Sequence, residues 1–215
     1  MTKLSKRLLD VVSFASSSDS IVDIGCDHGL TTIYIYENKL CKKIVCSDIN
    51  PNALANAKEN IQKRNLPIEA ILSDGIKNID LELFNTLIIS GMGTYTILNI
   101  LEDKNKLQKI NKLIIQSNND YELLRKELNN RGYYLEEEKY TIDKSKWYIT
   151  MKFIKTNKKN NNQIIKYGYL NNKEYNSFLI DNKKSILKKI PITNIKTKFK
   201  TYQEYKKLKK AIKQS

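Results

Sequence analysis

The sequence predicts an α/β fold in which a doubly wound sheet of mostly parallel strands is followed by a small helical C-terminal domain. Five short apolar segments, each ending in polar or glycine residues, alternate with segments whose apolar residues recur at helical spacing, which is typical of βα units. Two further strand-like segments indicate an antiparallel hairpin. Lysine-rich segments with apolar stripes at helical spacing make up residues 164–215 and predict the helical domain.

Strands and helices are expected to alternate along the chain. The expected strands are residues 21–24, 43–48, 68–72, 86–90 and 112–116, followed by the hairpin strands 133–140 and 147–154. The expected helices are residues 4–15, 30–38, 52–65, 95–102 and 121–131, followed by 173–190 and 202–212. Segment 30–38 contains β-branched residues, but a parallel sheet requires a crossover there, so we interpret it as a helix.

Residues at the ends of the helices support these assignments. Asn50 has the side chain of an N-cap and Pro51 suits the first helical position, which predicts that a helix begins there. Asp120 is expected to cap the helix at 121–131, and Gly132 to end it. Pro191 breaks the helical pattern of the C-terminal region and separates its two helices.

The turn after the first strand combines glycines with carboxylates. Gly25 and Gly29 allow a ligand to approach the backbone closely at the carboxyl end of the sheet, where open α/β sheets bind small molecules. A dinucleotide fingerprint would have a glycine where Asp27 stands, and Asp23 adds a second negative charge. Two carboxylates disfavour a pyrophosphate and favour a cationic ligand.

S-adenosylmethionine is such a ligand, because it carries an ammonium, a sulfonium and an adenosine. Asp48 ends the next strand about 20 residues after the glycine turn, the spacing at which an acid reaches a ribose. Asp74 ends the third strand and is expected to accept the adenine amino hydrogen. Arg7 is expected to pair with the cofactor carboxylate, although a solvated arginine explains it equally well. The full set expected to bind the cofactor is Arg7, Asp23, Gly25, Cys26, Asp48, Ile49, Asp74, Gly75, Gly91 and Met92.

Length and composition limit the remaining choices. A chain of 215 residues is long enough for one full domain and a small accessory element. The three cysteines, Cys26, Cys41 and Cys46, lack C-x-x-C spacing, which argues against a disulfide framework or a zinc site. No stretch of 18 apolar residues and no secretory leader pattern is found, so we expect a cytoplasmic protein without a metal.

The net charge of +15 is distributed unevenly. Residues 1–150 contain 20 Lys and Arg and 20 Asp and Glu, whereas residues 151–215 contain 18 and 3. An AT-rich genome would explain frequent lysines but not their position. The asymmetry is typical of a nucleic-acid partner, with a solvated tail or contact with a membrane surface as alternatives.

Five motifs together resemble one known family. They are Leu-Ser-Lys-Arg-Leu at 4–8, Asp-Ile-Gly-Cys-Asp-His-Gly at 23–29, Ser-Asp-Gly at 73–75, Ser-Gly-Met-Gly at 90–93 and Gln-Ser-Asn at 116–118. The chain resembles the bacterial tRNA (adenine-22-N1)-methyltransferase family, whose members are Rossmann-like class I S-adenosylmethionine-dependent enzymes. Thr94 and Ser117 depart from the family pattern, which has a second glycine and a proline there.

The resemblance implies a methyltransferase domain at residues 1–155 and a basic, coiled-coil-like element at residues 164–215 that helps to hold tRNA. The Lys- and Asn-rich segment 156–163 is the expected linker. The implied reaction transfers a methyl group from S-adenosylmethionine to N1 of adenine 22 in tRNA. A monomer is expected.

The implied reaction depends mainly on positioning, because N1 of adenine already has an in-plane lone pair. The target base must leave the folded tRNA, at a cost of roughly a few kcal/mol. Asp27 and His28 are expected nearest the transferring methyl group, and Asn118 is expected at the adenine edge. Glycine would suit the turn better than Asp27, which suggests a chemical role for this residue. A merely structural His28 remains the alternative to proton transfer.

Two other functions are compatible with parts of the sequence. A catalytically inactive RNA-binding protein on a methyltransferase fold would have lost the acids that Asp23, Asp48 and Asp74 provide. A small-molecule methyltransferase would leave the basic C-terminal region without a role. The sequence therefore favours the tRNA-modifying enzyme.

Overall fold

A computed structural model describes residues 2–214 of the chain. Contacts divide the chain into a first unit, residues 1–160, and a second unit, residues 161–215. The strands, all in the first unit, are β1 Ser20–Ile24, β2 Lys43–Asp48, β3 Glu69–Leu72, β4 Thr86–Met92, β5 Lys112–Ser117, β6 Tyr133–Asp143 and β7 Lys146–Lys155. Its helices are α1 Lys6–Val12, α2 Leu30–Glu37, α3 Pro51–Gln62, α4 Thr94–Ile100 and α5 Tyr121–Asn130, with 3-10 turns at Leu81–Leu83 and Lys106–Lys109.

The seven strands form one sheet in the order β3-β2-β1-β4-β5-β7-β6. Strands β1 to β5 are parallel, while β7 is antiparallel to β5 and β6 is antiparallel to β7. The predicted parallel sheet and hairpin are therefore confirmed. The strand order reverses between β1 and β4, so a crevice is expected at the carboxyl ends of these two strands.

Helix α2 confirms the choice of a helix over a strand for the segment after the glycine turn. Its Ile33 and Ile35 are fully buried in a core cluster that also contains Val11 of α1 and Ala57 of α3. Tertiary packing therefore stabilises a short helix of β-branched residues that local propensity disfavours.

Some predicted helix ends are wrong. Asn50 caps α3 as expected, with its Oδ1 accepting a hydrogen bond of 2.9 Å from the Asn52 N–H, but the helix stops at Gln62 and Asn65 takes a left-handed conformation with φ of 51°. Asp120 precedes α5 but makes no capping hydrogen bond, because its own backbone is left-handed, with φ of 46° and ψ of 48°. Aspartate tolerates this conformation as well as an N-cap, so the residue type alone does not distinguish the two.

The second unit contains three helices, α6 Asn162–Tyr167, α7 Lys173–Lys189 and α8 Ile195–Gln214. The predicted packing of two helices is confirmed, since α7 contacts α8 and a small core forms around Leu170, Leu208 and Ala211. Helix α8 begins seven residues before the predicted start at 202. None of the helices within residues 2–214 is long and apolar enough to cross a membrane.

Asn160 is the last residue of the first unit, although the sequence suggested a linker there. Its side chain accepts a hydrogen bond of 2.8 Å from the Leu135 N–H and donates one of 3.1 Å to the Leu135 carbonyl. Its N–H donates to Asn129 Oδ1 at 2.9 Å. The Asn160 side chain therefore pairs with the backbone of Leu135 in β6 as the backbone of a neighbouring strand would.

Candidate functional site

A cavity of about 520 Å³ opens at the carboxyl ends of β1 to β4, on the edge where the strand order reverses. This volume is typical of small-molecule sites. The lining includes the following residues selected from the sequence: Arg7, Asp23, Gly25, Cys26, Asp27, His28, Asp48, Ile49, Asp74, Gly75, Gly91 and Met92. The lining also includes Thr96, Asn99 and Ile100 of α4, which no sequence pattern had indicated as site residues.

Asp23 lies at the end of β1 and is only 3% exposed. Its Oδ2 accepts a hydrogen bond of 2.6 Å from the Thr32 hydroxyl of α2. Burial and, to a smaller extent, the neighbouring Asp48 charge raise the pKa of Asp23 to about 6, although the Thr32 hydrogen bond lowers it. A buried carboxylate of this kind is stabilised by a cationic ligand.

Asp48 ends β2 and is fixed by two backbone N–H groups. Its Oδ2 accepts from Asp27 at 3.0 Å, and its Oδ1 accepts from Asn50 at 2.9 Å. Each carboxylate oxygen keeps a further acceptor position for a ligand hydroxyl. Asp27 takes part in the turn with φ of 51°, a conformation that aspartate tolerates, so turn geometry explains more of Asp27 than the sequence suggested.

The two glycines of the first turn have different functions. Gly25 has φ of 73°, which L side chains rarely adopt, and a Cβ atom there would lie 2.1 Å from the Met92 Cε atom, so a side chain would be strained and would displace Met92 in the cavity wall. Gly29 does not line the cavity. A Cβ atom at Gly29 would lie 3.2 Å from the Ala57 Cβ atom, which shows that this glycine allows α2 to pack on α3. This packing explains the glycine at position 29, and the expected ligand approach there stays a prediction.

Cys26 lines the cavity as a neutral thiol. A hydrogen bond with the Cys46 thiol and burial both raise the pKa of Cys26. Cys26, Cys41 and Cys46 are all free cysteines in the structure. Among residues 2–214, no group of three or more His, Cys, Asp or Glu side chains is arranged to hold a metal ion.

Arg7 forms part of a network that the sequence did not indicate. Its Nη1 donates a hydrogen bond to Gln116 Oε1, which also accepts from the Gly91 N–H at 3.1 Å. The guanidinium carbon lies 5.4 Å from the centre of the Tyr148 ring. Gln116 is fully buried at the end of β5, and a polar residue in an otherwise apolar strand was the signal that could have identified it.

Asp27 and His28 line the cavity with exposed side chains. His28 Nε2 lies 3.7 Å from Asp27 Oδ2, and the two side chains are 53% and 70% exposed. Asn118 is not among the lining residues. Its Nδ2 donates a hydrogen bond of 2.7 Å to the Gly91 carbonyl, and its N–H donates one of 2.9 Å to the Met92 carbonyl. Asn118 therefore holds the loop that forms the cavity wall.

Thr94 and Ser117, the two residues that depart from the resemblance pattern, contact each other. Their hydroxyl oxygens lie 2.9 Å apart, and both side chains are fully buried. The Thr94 N–H donates to Asn119 Oδ1 at 3.0 Å, and the Ser117 hydroxyl donates to the Asn119 carbonyl at 2.9 Å. These hydrogen bonds fix the start of α4 to the loop after β5.

The doubly wound sheet, with acids at three successive strand ends and a glycine-containing loop after β4, defines a Rossmann-like fold of the kind that binds nucleoside cofactors. A protein-family model described as a methyltransferase domain matches residues 4–151. TrmK of M. capricolum, solved with S-adenosylhomocysteine, is 31% identical to the chain, with a TM-score of 0.85 and 98% of each chain covered. The chain therefore belongs to the methyltransferase-domain family, in the group that includes TrmK.

Two Bacillus subtilis comparisons agree with this assignment. The tRNA (adenine(22)-N(1))-methyltransferase of that organism is 32% identical over 119 residues, 54% of this chain and 50% of the relative. The chain spans about half the length of the curated relatives it matches. The crystal structure of B. subtilis TrmK has the same fold, with a TM-score of 0.83, 23% identity and coverage of 99% of this chain and 100% of that chain. The resemblance inferred from the five motifs is confirmed.

Proposed function

We propose that the protein transfers a methyl group from S-adenosylmethionine to N1 of adenine 22 in tRNA. The observation that carries this proposal is the row of carboxylates at the ends of β1, β2 and β3, which opens on a cavity of about 520 Å³. Similarity over 98% of the chain to TrmK solved with S-adenosylhomocysteine supports the cofactor, and similarity to the B. subtilis tRNA (adenine(22)-N(1))-methyltransferase supports the substrate class. The acids argue against an inactive RNA-binding protein.

The lining residues fit S-adenosylmethionine chemically. The buried Asp23 carboxylate suits the cofactor ammonium, and the further acceptor positions of Asp48 suit the two ribose hydroxyls. Asp74 is half exposed and pairs with Lys77 through Oδ2 at 2.5 Å, which leaves its other oxygen for an adenine amino group. Arg7 is proposed to hold the cofactor carboxylate from its position on Gln116. When bound, this cofactor supplies an electrophilic methyl group on a sulfonium.

The chain's own residues are proposed to position the adenine and to stabilise its developing positive charge. N1 needs no base to become a nucleophile. The proposed contribution of nearby carboxylates and dipoles is therefore to stabilise the positive charge that develops on the adenine. Asp27 is proposed to lower the energy of the charged product, and His28 to accept the N6 proton at its Nε2 or to shape the pocket. Asn118 is proposed to act at the adenine edge, with its amide already bound to Gly91.

The second unit is proposed to bind the tRNA backbone. It contains 14 lysines and 3 acidic residues, and lysine binding to phosphates releases counterions from the nucleic acid. We accordingly propose that residues 164–215 are the tRNA-binding element and residues 1–155 the methyltransferase domain. We further propose that the enzyme acts as a monomer in the cytoplasm, where tRNA is modified.

One assay tests the proposal. Purified protein is incubated with S-adenosylmethionine labelled in the methyl group and with two tRNA transcripts, one containing adenine 22 and one with guanine at that position. Nucleoside analysis should find label in 1-methyladenosine from the first transcript only. Binding without methylation would favour the inactive RNA-binding protein, and label on other nucleosides would overturn the assigned position.

A further inference from the structure

Tyr95 is the most exposed large apolar side chain of the described part of the first unit, with 71% of its surface accessible. It is the second residue of α4, directly after the loop that contains Gly91 and Gly93. Because α4 follows β4, its first turn lies at the carboxyl edge of the sheet, where the cavity opens. The core therefore does not explain this aromatic ring.

Tyr95 does not line the cavity itself, but helical spacing puts it beside α4 residues that do. Tyr95 and Asn99 are four residues apart in α4 and share one face of the helix. Asn99 lines the cavity, as does Thr96, so the Tyr95 side chain lies one turn further toward the start of the helix on the same side. The hydrogen bonds of Thr94 hold the start of α4 in place, and the Tyr95 side chain extends from that first turn.

A second exposed apolar residue lies on the other side of β1. Ile49 follows β2, is 64% exposed and lines the cavity next to Asp48. Strand order places β2 and β4 on opposite sides of β1, so Ile49 and Tyr95 follow strands that flank the acidic turn. Ile49 lies beside Asp48, on the side of β1 where we propose that the adenosine of the cofactor binds. Tyr95 lies on the other side, after the glycine loop, where a second planar group such as a nucleic-acid base would have room.

We propose that Tyr95 binds the substrate by stacking on the target adenine after this base has left the tRNA stack. This inference rests on the proposed function, which requires an extruded base. An extruded base loses its stacking partners, and an aromatic side chain replaces them. Stacking at the rim also keeps N1, on the edge of the base, directed at the cavity. Tyr95 is thus a specificity-determining residue for a planar base rather than a part of the fold.

The test compares four variants in the full-length protein with the adenine-22 transcript. Tyr95→Ala should lower kcat/KM by roughly tenfold or more, in line with the loss of one base–aromatic stack. Most of this decrease should be in kcat rather than in KM, because phosphate contacts continue to hold the tRNA. Tyr95→Phe should retain the wild-type rate, and Tyr95→Leu, which keeps apolar bulk without a π-face, should resemble Tyr95→Ala. Leu83→Ala is the matched control, because Leu83 is 59% exposed in the 3-10 turn before β4, at the opposite edge of the sheet.

The outcomes separate this inference from the proposed function. Calorimetry should give the same S-adenosylmethionine affinity for all variants and the wild type. Equal kcat/KM for wild type and Tyr95→Ala would overturn the stacking role alone, as would full activity of Tyr95→Leu. A wild-type protein that methylates no adenine in tRNA would overturn the proposed function and the stacking role with it.

Discussion

The two units use charge in opposite ways. In the first unit, Arg125 Nη2 lies 2.7 Å from Glu138 Oε1, and these side chains are only 4% and 0% exposed. In the second unit, the Lys183 and Glu204 side chains pair at 2.6 Å but are each 32% exposed. The first unit contains 24 basic and 20 acidic residues, and the second contains 14 and 3. Basic and acidic residues therefore nearly balance in the first unit, whereas the second unit has a large excess of lysines for an external polyanion.

This difference explains why the two units contribute differently to the proposed function. Buried charges such as Asp23 depend on a few neighbours, so their geometry defines a small site. Exposed lysines act through their number and are screened by salt. Substitutions in the first unit should change the cofactor site or the stability, and substitutions in the second unit should change the salt dependence of tRNA binding.

The largest effect is expected from reversing lysines of the second unit. Lys166, Lys207 and Lys210 line a shallow groove of about 360 Å³ between α6 and α8. Changing all three to Glu should lower tRNA affinity by more than tenfold at about 0.1 M salt, and should reduce the slope of log K against log salt by about 2 to 3. Filter binding over a salt series measures both, and calorimetry should show unchanged cofactor affinity.

A charge-matched control addresses the position of the charges. The triple change to Glu of Lys42, Lys104 and Lys109 alters the net charge equally but affects exposed residues of the first unit. If this control weakened tRNA binding as strongly as the groove variant, total charge rather than the second unit would account for affinity, and the comparison between the units would fail.

A smaller effect is expected from the pH dependence of Asp23. Its pKa of about 6 in the folded protein lies above the ordinary value of 3.8, so the native state retains this proton at a pH where the unfolded chain has lost it. Without cofactor, stability should therefore fall by about 3 kcal/mol at most as the pH rises from 4 through 6. A cationic ligand prefers the ionised form, so S-adenosylmethionine affinity should be about tenfold lower at pH 5 than at pH 7.

Calorimetry across this pH range, with Asp23→Asn as the control, measures the effect. The variant should bind the cofactor weakly, with little pH dependence between 5 and 7. A pH dependence that persisted unchanged in Asp23→Asn would show that Asp23 does not account for it.

The sequence predicted the parts of the site that depend on residues near each other in the chain. Asp23, Gly25 and Asp48 follow from one strand-turn pattern and one spacing, and all three line the cavity. Helix α2 followed from topology rather than propensity. The contact between Arg7 and Gln116 joins residues 109 positions apart, and no local pattern indicates it. Tertiary hydrogen bonds of this kind become visible only when α1 packs against the carboxyl end of β5.

The smallest expected effect concerns the hydroxyl groups of Thr94 and Ser117. Both are buried in the first unit and contact each other rather than an external partner. Thr94→Val and Ser117→Ala should each lower the free energy of unfolding by about 1 to 2 kcal/mol, because each leaves a buried partner group less satisfied. The double variant should lose less stability than the sum of the two single variants, by about 0.5 kcal/mol or more, since the shared hydrogen bond is lost only once.

Ser47→Ala is the matched control. Within residues 2–214 the buried Ser47 hydroxyl has no hydrogen-bond partner, so its removal should cost almost no stability. Urea unfolding of the wild type and the four variants measures these values, and the salt dependence of tRNA binding should remain that of the wild type in all four variants. Strictly additive losses would show that the two hydroxyls act separately, and an altered salt slope would contradict the division of roles between the two units.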